Sequence, residues 1–345
     1  MNRARARLWA TAALATAAAL VAACGSNSPS SSGGGGSGGS RTSNLTVELD
    51  WVPNPDHVGI YYAQDNGYFI KDHLNVSLRT PSNAADPIKL VGLNKVDLAV
   101  SYESEMFFGQ QEGLPVTAVA TVIPVPLNSL IVTPKDHVTS LAQMKGRKVG
   151  ITGIPSDGAI YSTLVKASGL TAAQVPTVNV GFNLVPSLLS GKVDAIIGGY
   201  RNVEAIQIAQ EMGHKPAVFP ASALGVPSYA ELVLVANRHR LATDKSYAAA
   251  VRKFVKALVQ GTNAAIADPS GTTSIMRQVS QYKPQFLQAS VPFTLQLIAS
   301  SGEKTGCMNE AAWQSFGDWM QKNKLIHIVP KAALLTTDKY LPYRC

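Results

Sequence analysis

Residues 45–69 read LTVELDWVPNPDHVGIYYAQDNGYF, and their reading decides the fold. Val47 and Leu49 alternate with Thr46 and Glu48, the two-residue period of a strand with one buried face. The strand ends on Asp50-Trp51. Pro53 and Pro55 cannot continue a ladder, so a loop must follow. Asn54 stands as an N-cap with Pro55 at the first helical position. A helix is predicted through Ile60, Tyr61 and Ala63, stopping at Gly67. Strand, tight loop and helix N-terminus in succession open an α/β unit whose carboxyl end can hold a ligand. That end carries an indole, Trp51, a carboxylate, Asp50, and an imidazole, His57. Trp51 lies outside the alternating apolar run, which favours a cleft position over a core one.

The pattern continues outward. A strand is expected over 74–80, then a helix capped by Asp86 with Pro87 in its first turn, then the apolar strand VDLAVSY at 96–102. A helix over 103–111, stopped by Gly113, and a strand over 116–123 complete a first group. Strand, helix, strand in this order implies parallel crossovers. Residues 128–133 are predicted to leave this group. A short helix over 141–144, a strand over 148–152, a helix opening at GIPSDG, and strands over 178–180 and 193–198 form a second group. Two segments have the same build: KLVGLNKVDLAVSY, 89–102, and SLLSGKVDAIIGGY, 187–200. Each is a short helix, a polar turn, Val-Asp, and an apolar strand ending in Tyr. ELVLVAN, from Glu231, is predicted to return to the first group. The fold class is therefore α/β, with two lobes, each a doubly wound and mostly parallel sheet, joined by two crossings that act as a hinge. Lobe 1 is expected over 45–130 plus 235–345, and lobe 2 over 131–234. Ligands of such sheets bind beyond the strand ends, here Trp51, Tyr102-Glu103 and the run Gly199-Tyr200-Arg201-Asn202-Val203-Glu204.

LDWVPNPDHVGIYYAQDNGYF, SYESE, GLPVTAVA, QMKGRKVGI and GGYRNVE together resemble the solute-binding lipoproteins that deliver thiamine pyrimidine precursors to ABC importers. Yeast pyrimidine synthases share that fold. The resemblance thins after about residue 237. It implies a two-lobed periplasmic-binding-protein-like (type II) architecture, no cofactor, a membrane permease as partner, and an aminopyrimidine stacked on aromatic rings and read by a carboxylate. By position it implies Trp51, Tyr61, Tyr200 and Glu204. Arg201 stands where family members often carry an aromatic.

Residues 1–23 have three arginines, a short Ala/Leu run, and small residues before Cys24. This is the pattern of a bacterial lipoprotein signal, with Cys24 as the lipidated residue and the membrane as its anchor. The tract that follows to residue 44 is mostly Ser, Gly and Asn, a flexible tether with nothing to bury. About 300 residues remain, enough for two cores. Loss of the signal takes three Arg from the 30 basic residues against 22 acidic ones, a mature charge of +5. The basic residues are scattered, without a nucleic-acid footprint. Cys307 and Cys345, exported together, point to one disulfide, with two free thiols as the alternative. The six His are isolated, so no metal site is expected.

Aromatic faces at Trp51, Tyr61, Tyr102 and Tyr200 suit a planar heterocycle, and Glu204, with Asp50 and Glu103 behind it, suits its N–H groups. Asn54, His57, Ser156 and Asn202 complete the candidate ligand-binding set. Backbone N–H groups of the Ser156–Gly158 loop offer a second, anionic possibility. GxSxG and P-loop signatures are absent, so reversible capture by a monomer is expected rather than catalysis. Two alternatives stay open. One is a receptor for riboflavin, taurine or an alkanesulfonate; the other is a synthase that consumes its own His, for which His57 is the candidate.

Overall fold

The two Val-Asp repeats mark equivalent places in two sheets. The computed structural model describes residues 42–345. The expected signal, Cys24 and the tether up to residue 41 lie outside the described residues. Among the described residues ten strands form two five-stranded sheets. The chain lays down β1 (Ser43–Glu48), β2 (Leu74–Arg79), β3 (Leu98–Ser101) and β4 (Val116–Ile123) in one sheet. It crosses to lay down β5 (Asn128–Val132), β6 (Val149–Ile151), β7 (Thr177–Asn179), β8 (Ala195–Tyr200) and β9 (Ala217–Pro220) in the other, then returns as β10 (Leu232–Asn237). The orders are β2-β1-β3-β10-β4 and β7-β6-β8-β5-β9. β1 opens at Ser43, two residues before the Leu45 at which the strand reads from sequence.

Each sheet follows one plan. Its first three strands pair in parallel, and the fourth position is taken by a strand arriving from the other half. β10 runs antiparallel to β3 and β4, and β5 runs antiparallel to β8 and β9. The sheets are thus mixed, because each crossing strand enters from the opposite direction.

The repeat has a structural cause. Asp97 Oδ2 accepts the Thr46 N–H at 2.7 Å, and Asp194 Oδ2 accepts the Lys148 N–H at 2.7 Å. Both aspartates tie the start of β3 or β8 to the neighbouring parallel strand. The polar turns before them contain Asn94 (φ 56°) and Gly191 (φ 75°), both left-handed. Between the aspartate and the closing tyrosine the second copy has one residue more, and the sheet absorbs it where the β5–β8 register shifts. Gly198 (φ 86°) sits there. A Cβ would come within 2.8 Å of Asp157 Oδ2, so only glycine fits.

Asn54 caps as expected, accepting the Asp56 N–H at 2.7 Å, and the helix Val58–Asp65 follows one 3₁₀ turn later. Asp86 makes no capping bond, although Pro87 does begin a helix. The long helix Lys245–Ala267 buries Tyr247, Val251, Phe254, Val255 and Leu258 along one face. Phe254 stacks on Phe69 at 4.8 Å. This helix crosses Val58–Asp65 closely, since a Cβ on Gly261 would lie 2.3 Å from the Gly59 carbonyl oxygen. The contact anchors the loop that carries Asp50 and Trp51. Cys307 and Cys345 form a disulfide, with Cα atoms 5.8 Å apart. Among the described residues no helix is long and apolar enough to cross a membrane.

Candidate functional site

Strand ends from both sheets meet around one cavity. β1 delivers Asp50, Trp51 and, through its loop, Asn54. β3 delivers Tyr102. β6 leads to Thr152, Ser156 and Asp157. β8 delivers Gly198, Tyr200 and, at the start of the next helix, Glu204. The crossing strands add Asn128, Tyr229 and Glu231. The cavity volume is about 30 Å³, room for about two water molecules. Asp50, Asp157, Glu204 and Glu231 face it, and no Lys, Arg or His is among the described residues that line it.

Each acid is held by its own donors. Glu204 accepts the Tyr200 N–H at 2.7 Å, and burial pushes its carboxyl up to about 7. Glu231 accepts the Leu127 N–H at 2.7 Å, the Asn128 N–H at 2.9 Å and the Tyr229 hydroxyl at 3.0 Å. It too is raised to about 7, burial outweighing these bonds. One carboxyl thereby joins both segments that pass between the sheets. Asp157 accepts the Thr152 N–H at 3.0 Å and is raised by burial, with the Thr152 and Asn128 side chains opposing. Asp50 is bonded to His57 at 2.7 Å and to the Tyr102 hydroxyl at 3.3 Å.

Of the residues expected from sequence, Asp50, Trp51, Asn54, Tyr102, Ser156, Tyr200 and Glu204 line this cavity. Four are placed elsewhere. His57 is fully buried. Its Nδ1 accepts the Asn54 N–H at 3.3 Å, which leaves the Nε2 proton for Asp50. Both ring nitrogens are spent on the loop. Tyr61 packs in the core, where burial pushes its hydroxyl up to about 12. Glu103 accepts the Ala230 N–H at 2.7 Å and borders a separate cavity of about 200 Å³, since the helix it starts turns it behind Tyr229. Asn202 is fully buried and donates to Asp56 at 2.6 Å and to Thr294 at 2.8 Å. Arg201 borders neither this cavity nor the groove outside it. At the Ser156–Gly158 loop the helix opens beside acids: Asp157 stands in its first turn, and Glu105 is raised to about 7 by burial, with the Ser156 groups opposing. The helix N-terminus already holds carboxylates.

Sequence reading passed over Glu231, Asp157, Asn128 and Tyr229. Trp313, Phe316 and Met320 stand at helical spacing, which by itself reads as a core-facing stripe. All three are buried, but Phe316 and Met320, with Trp319, also reach the cavity. Tyr229 stacks on Phe316 at 4.7 Å and so joins that aromatic floor to the hinge.

Outside the cavity a wider groove of about 550 Å³ opens, and Trp51 and Glu204 line both. Trp51 meets Phe182 edge to face, with ring centroids 4.3 Å apart. Trp51 follows β1 and Phe182 follows β7, so this pair bridges the two halves.

Two mixed sheets exchanging a strand, with an acid-lined aromatic cavity between their strand ends, define a two-lobed α/β binding-protein fold of type II. The fold is shared with the alkanesulfonate-binding protein of Xanthomonas axonopodis pv. citri (TM-score 0.66, 14% identity, covering 86% of this chain and 99% of that one). It is shared also with the aliphatic sulphonate-binding protein of Escherichia coli (TM-score 0.63, 12% identity, covering 88% and 96%). Residues 54–272 match the NMT1/THI5-like family model, and the chain belongs to that family. A Haemophilus influenzae protein named for thiamine biosynthesis is 38% identical over 296 residues, covering 84% of this chain and 90% of that protein. The formylaminopyrimidine-binding protein of Halalkalibacterium halodurans is 31% identical over 280 residues, covering 79% and 83%. A 4-amino-5-hydroxymethyl-2-methylpyrimidine phosphate synthase of Saccharomyces cerevisiae is 29% identical over 255 residues, covering 71% and 72%.

Proposed function

We propose that this protein is the extracytoplasmic receptor of an ABC importer and captures an unphosphorylated thiamine pyrimidine precursor, of hydroxymethyl or formylamino type, between two closing lobes. The observation that carries the reading is Glu204, held by the Tyr200 N–H and raised to about 7, beside the Trp51 and Tyr200 rings in a cavity lined by four acids and, among the described residues, no Lys, Arg or His. A 4-aminopyrimidine presents an exocyclic N–H donor beside a ring nitrogen acceptor. A carboxyl that titrates near neutrality can accept from the first and share its proton with the second. The aromatic faces supply stacking. The same acids repel phosphates and sulfonates. The names of the relatives agree with this ligand class.

The cavity holds about two waters, so a ring enters only when the lobes part. The crossings at β5 and β10, joined by Glu231, form the hinge of that motion. The closed, liganded form docks on the permease, and lipid on Cys24 holds the receptor at the outer face of the cell membrane. Capture is reversible: a synthase role would need the His57 ring free to react, and it is locked to Asp50 and Asn54.

Titration calorimetry of the purified protein against 4-amino-5-hydroxymethyl-2-methylpyrimidine, its phosphate ester, riboflavin and taurine tests the reading. The free pyrimidine binds and the other three do not. Tight binding of the phosphate ester or of taurine with no binding of the pyrimidine overturns it.

A further inference from the structure

The inner cavity and the outer groove are unequal and share a wall. The first measures about 30 Å³ and the second about 550 Å³. The groove alone lies in the size range of small-molecule sites. It sits at the carboxyl ends of β1, β2, β7 and β8, where open α/β sheets receive ligands. Its walls combine the aromatic rings of Trp51, Phe182 and Tyr282 with the neutral polar groups of Thr80, Gln207 and Gln281. Tyr282 is stacked on Phe286 at 4.5 Å, which fixes that wall. The only charge on the described lining is Glu204, at the inner end.

From this we infer that the groove is a second subsite, which takes a flat, uncharged or cationic ring carried by the pyrimidine on a short link. The protein then binds extended aminopyrimidines as well as the bare precursor. Glu204 and Trp51 face both spaces, so one ligand can be read at its amino edge inside while its second ring lies against Phe182 and Tyr282 outside. A cationic ring gains from Glu204 at the groove's inner end. A diphosphate tail finds no cation on the lining. The inference rests on the aminopyrimidine reading above and adds the second ring to it.

Thiamine, an aminopyrimidine linked to a cationic thiazolium ring, is the probe. It is compared with 4-amino-5-hydroxymethyl-2-methylpyrimidine and thiamine diphosphate by calorimetry on wild type, Gln207→Trp and Phe182→Ala, each checked for folding by its melting curve. Gln207 lies one helical turn beyond Glu204, so a Trp there fills the groove and spares the cavity. Thiamine binds wild type, loses at least tenfold in affinity in both variants, and is preferred at least tenfold over its diphosphate. The bare pyrimidine changes by less than threefold. If the bare pyrimidine binds wild type and thiamine does not, or if both ligands lose equally in Phe182→Ala, the second subsite is refuted and the receptor reading stands. If neither binds, both are refuted.

Discussion

Asn202 and Asp56, 146 residues apart in the chain, are joined by a 2.6 Å hydrogen bond in which the amide donates to Oδ1. Both are buried, and the other two oxygens of the pair, Asp56 Oδ2 and Asn202 Oδ1, have no partner. Burial, and next to it the charges of Asp50, Glu204 and Glu231, hold the Asp56 carboxyl well above the usual range, with the Asn202 bond opposing. A protonated Asp56 has a proton to share between the two unpartnered oxygens. The pair fastens the loop after β1 to the turn after β8, and Thr294 and Ser290 secure Asn202 from the helix Pro284–Ala299.

Removing one member is therefore costly. Asn202→Ala leaves a buried carboxyl with no donor, and urea denaturation should show a loss of about 1–3 kcal/mol. Asp56→Asn keeps the shape and substitutes an amide for an acid that is already raised. Its loss should be smaller than that of Asn202→Ala, and an equal or larger loss would show that Asp56 works as a carboxylate.

Glu105, Glu204 and Glu231, each raised by burial from 4.5 to about 7, set the pH dependence. Between these values the folded chain holds protons that the unfolded chain has released. Stability then falls as pH rises, by about 1.4 kcal/mol per pH unit for each full proton of difference. The contribution is fully present below about 4.5 and is lost as pH passes 7. The ligand-free protein should melt at a lower temperature at pH 8 than at pH 5.5. Glu105 lies off the cavity lining, and Glu105→Gln should flatten the slope without touching ligand binding. A melting temperature that climbs across this window would contradict the assignment.

For binding, the same carboxyl predicts a different profile. A complex of one aminopyrimidine with Glu204 shares one proton, which the free side chain loses above about 7. Affinity should hold to that point and then fall toward tenfold per pH unit. Glu204→Gln should weaken binding by about 1–3 kcal/mol through the lost charge-assisted bond. It should also remove the part of this fall that belongs to Glu204, leaving Glu231 as the cavity carboxyl raised to about 7. Calorimetry from pH 6 to 8.5 on both proteins reads both effects, and a variant with unchanged affinity would take Glu204 out of the site.

How much of this was legible differs from residue to residue. Period-two runs, caps and the Val-Asp repeat disclosed the order of strands and the strand ends, because these are local signals. Trp51, Tyr200 and Glu204 stood at such ends and do line one cavity. Glu231 begins the apolar run ELVLVAN and read only as a strand start; its role comes from its bonds to Leu127 and Asn128, about a hundred residues away. Phe316 and Met320 sit on a helical stripe that looks the same whether it faces a core or a cavity floor. His57 and Asn202 lie in the right motifs, but their partners Asp50 and Asp56 turn them inward. Which neighbour a polar side chain satisfies is decided by tertiary placement, and spacing does not carry that information.

The disulfide offers a control that separates stability from binding. Cys307 and Cys345 close a loop of 38 residues. Thr121 of β4 accompanies the bond, its hydroxyl donating to the Cys307 carbonyl at 2.7 Å and its N–H to the Gly306 carbonyl at 2.9 Å. Loop-closure entropy for this length is worth about 3–4 kcal/mol. Cys307 borders the 200 Å³ cavity beside Glu103, while Asp50, Trp51, Tyr200 and Glu204 line the other. The Cys345→Ser protein should therefore unfold at lower urea yet bind its ligand within threefold of wild type at a temperature where both are folded. A tenfold loss of affinity without loss of stability would place the carboxyl-terminal segment in the binding mechanism, contrary to the geometry.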